Sequence, residues 1–355
     1  MSETTLGGIA SRMPKFIRRA DPAVATAFAC IVILLLLGSL YSRSFLSPEY
    51  LLQQLKVASF LGVIATGMML VILLGQIDLS VPWSVATGAM MACAAAAYGS
   101  VGVALAIPFG VLCGVAIGIV NGVGVAYLRI PSMIITLATN AVAQGLMVVY
   151  TGGFSPQDSA TAAMRYLATG FTIPGVPNAV IIWALIGAAM VFVLTRTSFG
   201  RAVYGIGNRE RAAYLSGIDT RRVVLIAFAV SGGLSAFGGV LLAGYASKAA
   251  QSMGDAYLLP SIAAVVLGGT LIFGGSATAL GTLFASILLV LIVTTMQIIG
   301  LPPGAQDIVQ GVVVIFVLAL AGRQAQARRA FVEIADGDDD ATADADASAA
   351  TAHPK

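Results

Sequence analysis

Histidine is nearly missing from this sequence: among 355 residues there is one, His353, close to the C-terminal end. A proton relay or metal centre built on imidazoles inside the apolar segments is therefore excluded. Cysteine is scarce as well, and Cys30, Cys93 and Cys113 all fall inside apolar runs, with no metal-ligand spacing and no evident role for a disulfide. They are expected to be small core residues. Charge is the third shortage, at 10% of residues against 58% apolar. That balance excludes an ordinary soluble domain and is typical of a polytopic membrane protein. No Gly-x-x-x-x-Gly-Lys-[Ser/Thr] phosphate loop occurs, so the chain is not expected to bind or hydrolyse ATP by itself, nor to carry any cofactor of its own.

Apolar runs near the ~20 residues needed to cross a bilayer fill most of the chain. Ten spans are expected, at about 24–41, 57–75, 83–98, 102–127, 132–150, 178–195, 223–245, 259–273, 278–299 and 304–322. The third and eighth are short enough to be broken or re-entrant pieces. The first run is a full span followed by no convincing small-x-small cleavage site, so it is expected to stay as an anchor.

Orientation follows from lysine and arginine, which favour the cytoplasmic side. With the N-terminus inside, fifteen of the nineteen fall in cytoplasmic segments, and only Arg43, Lys56, Arg165 and Lys248 fall outside. Both termini are expected in the cytoplasm. The chain divides into a cytoplasmic N-terminal segment (1–22), a transmembrane domain (23–322) and a tail (323–355) whose Asp, Ala and Thr composition cannot bury enough apolar surface to fold. The net charge of +3 averages a basic rim and this acidic tail. It points to no nucleic-acid partner.

The most informative stretch is the basic loop 196–222 between two spans, which must meet something in water. Within it, Asn208 is read as an N-cap, Glu210 suits the positive end of a helix dipole, and Gly217 can end a short helix of about two turns in the left-handed conformation. Ala212, Leu215 and Ser216 then share one small, mildly apolar face that can dock into a groove on another protein.

The residues Ile206-Gly207-Asn208-Arg209-Glu210-Arg211-Ala212-Ala213-Tyr214-Leu215-Ser216-Gly217-Ile218 resemble the cytoplasmic coupling segment of sugar-type ABC importer permeases, the ribose/xylose/galactose class. Four further segments resemble the same family in its order: Gln76-Ile77-Asp78-Leu79-Ser80-Val81, Arg129 to Leu137, Thr151-Gly152-Gly153, and Val266 to Gly275. Together they cover roughly residues 50 to 322. The resemblance implies a type II ABC importer-like permease fold of ten spans, the second to fifth related to the seventh to tenth as a pseudo-repeat. It also implies an inner-membrane subunit working with a second permease copy, a cytoplasmic ABC ATPase that hydrolyses the ATP, and a periplasmic sugar-binding protein. Asn208, Arg209, Glu210, Arg211, Ala212, Ala213, Leu215, Ser216 and Gly217 would then form the coupling surface. Gln76, Pro82-Trp83 and Ser132-Met133 depart from the family pattern, which leaves open pentose, hexose, a furanosyl quorum signal or a polyol. A branched-chain amino acid permease is the related alternative. An ion-driven secondary transporter is the alternative of another class, and for it Asp78 would be the coupling group.

Polar groups at membrane depth are costly, so each is a candidate. Asp78 sits between Gly75 and Pro82, where a broken helix could expose backbone to a cavity, and it can cap the helix starting near Pro82, gate, or touch solute. Asn121, Asn140, Gln144 and Gln297 offer neutral amides, which suit sugar hydroxyls but also interhelical hydrogen bonds. Gly110, Gly114, Gly118 and Gly122 recur every four residues, a spacing that lets helix backbones approach closely in lipid. Ser231-Gly232-Gly233-Leu234 superficially resembles an ABC ATPase signature, yet it lies within a span. The segment 154–178 is the largest expected outer loop and a natural docking surface, and Gln306, Asp307 and Gln310 open the last span near the outer face.

Overall fold

The computed structural model describes residues 22–316 apart from 155–157, 303, 307 and 314. The N-terminal basic segment, Asp307, the end of the tenth expected span and the acidic tail with His353 lie outside the described residues.

Every named element is helical: α1 (Pro22–Tyr41), α2 (Pro48–Leu73), α3 (Val81–Ala96), α4 (Gly99–Ala126), α5 (Ser132–Thr151), α6 (Ala162–Thr169), α7 (Asn178–Arg196), α8 (Ser198–Asn208), α9 (Glu210–Leu215), α10 (Thr220–Ala246), α11 (Leu258–Leu267) and α12 (Ala279–Ile298). Residues 304–306, 308–313 and 315–316 are also helical. Among the described residues six helices, α2, α4, α5, α7, α10 and α12, are long and apolar enough to cross a membrane, and Val24–Leu40 within α1 is a shorter apolar stretch. At 16 and 10 residues, α3 and α11 fall short of a full crossing. The third and eighth expected spans are therefore the two short helices, and α11 gives way to a glycine-rich turn at Gly268–Gly275 rather than running on to 273.

α2 begins nine residues before the apolar run does, because Ser47 accepts a hydrogen bond from the Tyr50 amide, Pro48 occupies the first turn and Glu49 suits its positive end. It ends where Gly75 turns at φ +75°. α2 and α10 form the centre: 83% and 67% of their most apolar stretches are buried, against 22% for α4 and α5. Phe60, Ile64 and Met68 of α2 and Phe228 and Leu241 of α10 are fully enclosed.

In lipid the contact between helices is van der Waals rather than hydrophobic, so backbone proximity decides which helices pair. α10 makes its most extensive contacts with α4. A Cβ at Gly114 would run into the Gly232 carbonyl and Ala236, one at Gly118 into the Phe228 carbonyl, and one at Gly122 would lie 2.9 Å from Leu225 Cα. Gly110 faces α3 instead, where a Cβ would stand 2.5 Å from the Gly88 carbonyl oxygen. The Ser231–Leu234 segment lies inside α10, in this seam. Cys93 is buried, but Cys30 is exposed on α1 and Cys113 half-buried on α4, so the three do not share a core role. Helices apolar all round give no sequence signal for which face turns inward.

Candidate functional site

Between α2 and α3 the chain breaks at Leu74–Ser80, leaving backbone donors that helix geometry no longer satisfies. α5 supplies acceptors at four-residue spacing along one face: Ser132 Oγ takes the Ile77 N–H at 3.3 Å, Thr136 Oγ1 the Leu79 N–H at 3.0 Å, and Asn140 Oδ1 the Trp83 N–H at 3.3 Å. This ladder is the feature that sequence reasoning missed. Its signal was present as a Ser/Thr/Asn repeat of period four, but the partner segment lies some 55 residues earlier.

Asp78 is fully buried in the same break. Its Oδ1 accepts from the Ser80 amide at 3.0 Å and the Ser80 hydroxyl at 2.6 Å, and its Oδ2 from the Ser231 hydroxyl of α10 at 3.1 Å. The Asn121 amide donates to Ser80 Oγ at 2.8 Å, linking α4 to the cluster. Asp78 thus holds Ser80 in a side-chain turn, and Ser80, not Asp78, takes the N-cap position of α3. Asp78 and Asn121 come together with Ser80 and Ser231. Asn140 stands apart on the α5 ladder, and Gln297 lies near the C-terminal end of α12, in a separate cavity.

The loop 196–222 folds as two helices. Asn208 does not cap the second of them: it ends α8, where its amide donates to the Tyr204 carbonyl at 3.1 Å, and Arg209, in extended conformation, holds the N-cap position of α9. The buried residues Ala202, Val203 and Ile206 carry α8 through to Asn208. Gly217 turns at φ +82°, with its N–H on the Tyr214 carbonyl and the Ile218 N–H on Ala213. Ala213 is buried against the chain, whereas Ala212, Leu215 and Ser216 face outward, Leu215 being 84% exposed. Glu210 pairs with Arg129 at 2.7 Å, across 81 residues, which ties α9 to the turn before α5. Arg209 and Arg211 are exposed beside them.

Two cavities meet here. One of about 210 Å³ is bounded by Leu74, Gln76, Arg129, Glu210 and Thr220, and a wider one of about 900 Å³ by Tyr127, Arg211, Tyr214, Leu215 and Arg222. Asp78 lines neither. Beneath them α8 meets the end of α2 and the glycine turn backbone to backbone. The Gly275 N–H donates to the Leu73 carbonyl at 3.1 Å, and a Cβ on Gly274 would stand 2.8 Å from Leu73 O and 2.9 Å from Gly207 O. Gly274 and Gly275 both sit at φ +84°, so the junction admits neither a side chain's volume nor its conformation.

Comparison with known families bears directly on this exposed two-helix loop and the apolar helices on which it is seated. The family described as branched-chain amino acid transport system / permease component matches residues 50–318. The chain belongs to this family. Among its relatives, the ribose import permease protein RbsC of Haemophilus influenzae is 32% identical over 296 residues, covering 81% of this permease and 90% of the relative. RbsC of Bacillus subtilis is 34% identical over 299 residues, covering 82% and 91%. The autoinducer 2 import system permease protein LsrC of Yersinia enterocolitica is 30% identical over 298 residues, covering 84% and 82%. No solved structure matches the permease.

Proposed function

We propose that this permease is the membrane-spanning subunit of an ATP-driven importer of a sugar or a closely related polyhydroxylated solute. It would lie in the bacterial inner membrane with ten spans and both termini in the cytoplasm. The relatives named for ribose and autoinducer 2 import support the solute class, and each aligns over most of its own length. A second permease copy, a cytoplasmic ATPase and a periplasmic binding protein complete the assembly. ATP is bound by the ATPase alone.

The observation that carries the coupling role is α9. Its Ala213 anchors it to the bundle while Leu215 projects almost free, beside a groove lined by Arg211, Tyr214 and Arg222. An apolar side chain so exposed, on a charged loop, fits a groove on a partner. Closure of the ATPase pair pushes α9, and the push reaches α10 through Thr220 and α5 through the Glu210–Arg129 pair. The solute path then alternates between the two sides.

The test is co-purification, in detergent, of the full chain with its ATPase, comparing wild type with Leu215→Asp and with Glu210→Gln. Leu215→Asp touches no buried contact, so it should elute as a folded protein that has lost the ATPase, while Glu210→Gln should retain it with weakened ATPase stimulation. An ATPase that binds Leu215→Asp as well as wild type would remove α9 from the interface and the coupling role with it.

A further inference from the structure

At the end of the molecule away from α9 lies a cavity of about 500 Å³, bounded by the second turn of α2, the ends of α10 and α12, the start of α11, and Gln306, Gln310 and Val313. α10 separates the two ends: Thr220 and Tyr245 stand roughly 38 Å apart at the helical rise of 1.5 Å per residue. Five glutamines line this cavity, Gln53, Gln54, Gln297, Gln306 and Gln310, drawn from three separate parts of the chain. Gln54 is the decisive one. It is 94% buried, and its Oε1 has no hydrogen-bond partner among the described residues. A buried amide oxygen left without a donor is costly, and such a group in a cavity wall marks the place for a ligand's donor. Gln53 is already committed to the Tyr245 hydroxyl at 3.0 Å and Gln306 to the Leu301 carbonyl at 2.7 Å, which fixes the orientation of both side chains.

Among the described residues that line the cavity, none carries a charged side chain. Lys56, one turn further along α2, is turned onto the face of the Tyr245 ring, 5.4 Å from its centre. These described residues offer a zwitterionic amino acid no counter-charge for its carboxylate or ammonium group. A polyol matches better: each amide both donates and accepts, as does each hydroxyl, while the aliphatic side chains of Leu289 and Val293 meet the C–H face.

We propose that this cavity binds a neutral polyhydroxylated solute and is the outer station of the transport path, with Gln54 accepting from a solute hydroxyl. This deepens the importer reading and rests on it. The experiment is ligand-observed NMR on the full chain in lipid nanodiscs, because a maltoside detergent would itself present a sugar. D-ribose, D-xylose, D-galactose, ribitol and L-leucine serve as probes, with the ATPase and binding protein left out. At least one sugar or polyol should bind and L-leucine should not. Gln54→Leu, of nearly the same volume, should weaken that binding tenfold or more. Gln297→Leu and Gln310→Leu lie at less buried positions and should weaken it several-fold even if Gln54→Leu does not fold. Binding unchanged in the folded variants, binding by leucine, or binding by none of the probes would each overturn the site. Retention of the ATPase by the wild-type chain, measured in parallel, separates that failure from failure of the importer reading.

Discussion

Replacing Gly110 by alanine puts a methyl group where α4 crosses α3, 2.5 Å from the Gly88 carbonyl oxygen and 2.9 Å from Ala92 Cβ. Carbon atoms in good contact stand ~3.5–4 Å apart, so the two helices must part by about 1 Å. Neither neighbour can swing away, since one is backbone and the other a Cβ. Overpacking of this kind costs ~1–3 kcal/mol, against which alanine recovers ~0.5–1 kcal/mol of helix propensity over glycine. The net loss, centred at ~1 kcal/mol and reaching ~2.5 kcal/mol, corresponds at its centre to a roughly 5-fold fall in the folded-to-unfolded ratio. Gly145, on the exposed face of α5, provides the internal control because a Cβ there meets nothing within 4 Å. Gly145→Ala should be neutral or stabilising by up to ~1 kcal/mol. SDS-driven unfolding followed by circular dichroism compares the two variants under the same conditions. If Gly110→Ala unfolds at the same SDS fraction as Gly145→Ala, close backbone packing is not what holds α3 to α4.

Asp78→Ala should cost ~2–4 kcal/mol in the same unfolding assay, because it strands the Ser80 amide and two buried hydroxyls, whereas Asp78→Asn keeps acceptors for most of them and should cost clearly less. Equal losses in the two variants would show that the cluster does not depend on these hydrogen bonds. Ser247 ends α10 at φ +63°, with its side chain exposed. Ser247→Gly should therefore raise stability by ~1 kcal/mol by relieving the left-handed strain, and a variant no more stable than wild type would show that the strain is not there.

Element existence was legible wherever a long apolar run carried it, and the boundaries were not. α2 starts at Pro48 because a cap outweighs hydropathy, and Gln53, Gln54 and Lys56 ride inside a helix that an apolar window begins only at 57. The period-four glycines announced a close contact along α4, but the sequence could not say that Gly110 belongs to α3 and Gly114 and Gly118 to α10. The short helix in the loop was readable from Glu210 and Gly217, while its true start was not, since Asn208 serves equally well as a cap or as the last residue of the helix before it. Long-range pairings left no local trace. Arg129 reaches Glu210 across 81 residues, and Gln54 shares a cavity wall with Gln297 from the far side of the sequence.

The junction of Leu73, Gly207 and Gly274–Gly275 has a mechanical consequence. Side chains are the springs of a protein interior: a rotamer change can absorb an ångström of movement and leave the next layer undisturbed. Where carbonyl oxygen meets glycine with nothing between, there is no spring. A push on α8 is passed undamped to the foot of α2 and to the turn that follows α11. A stiff joint is thus built around the smallest of residues, and lengthening any of these glycines would loosen the linkage rather than reinforce it.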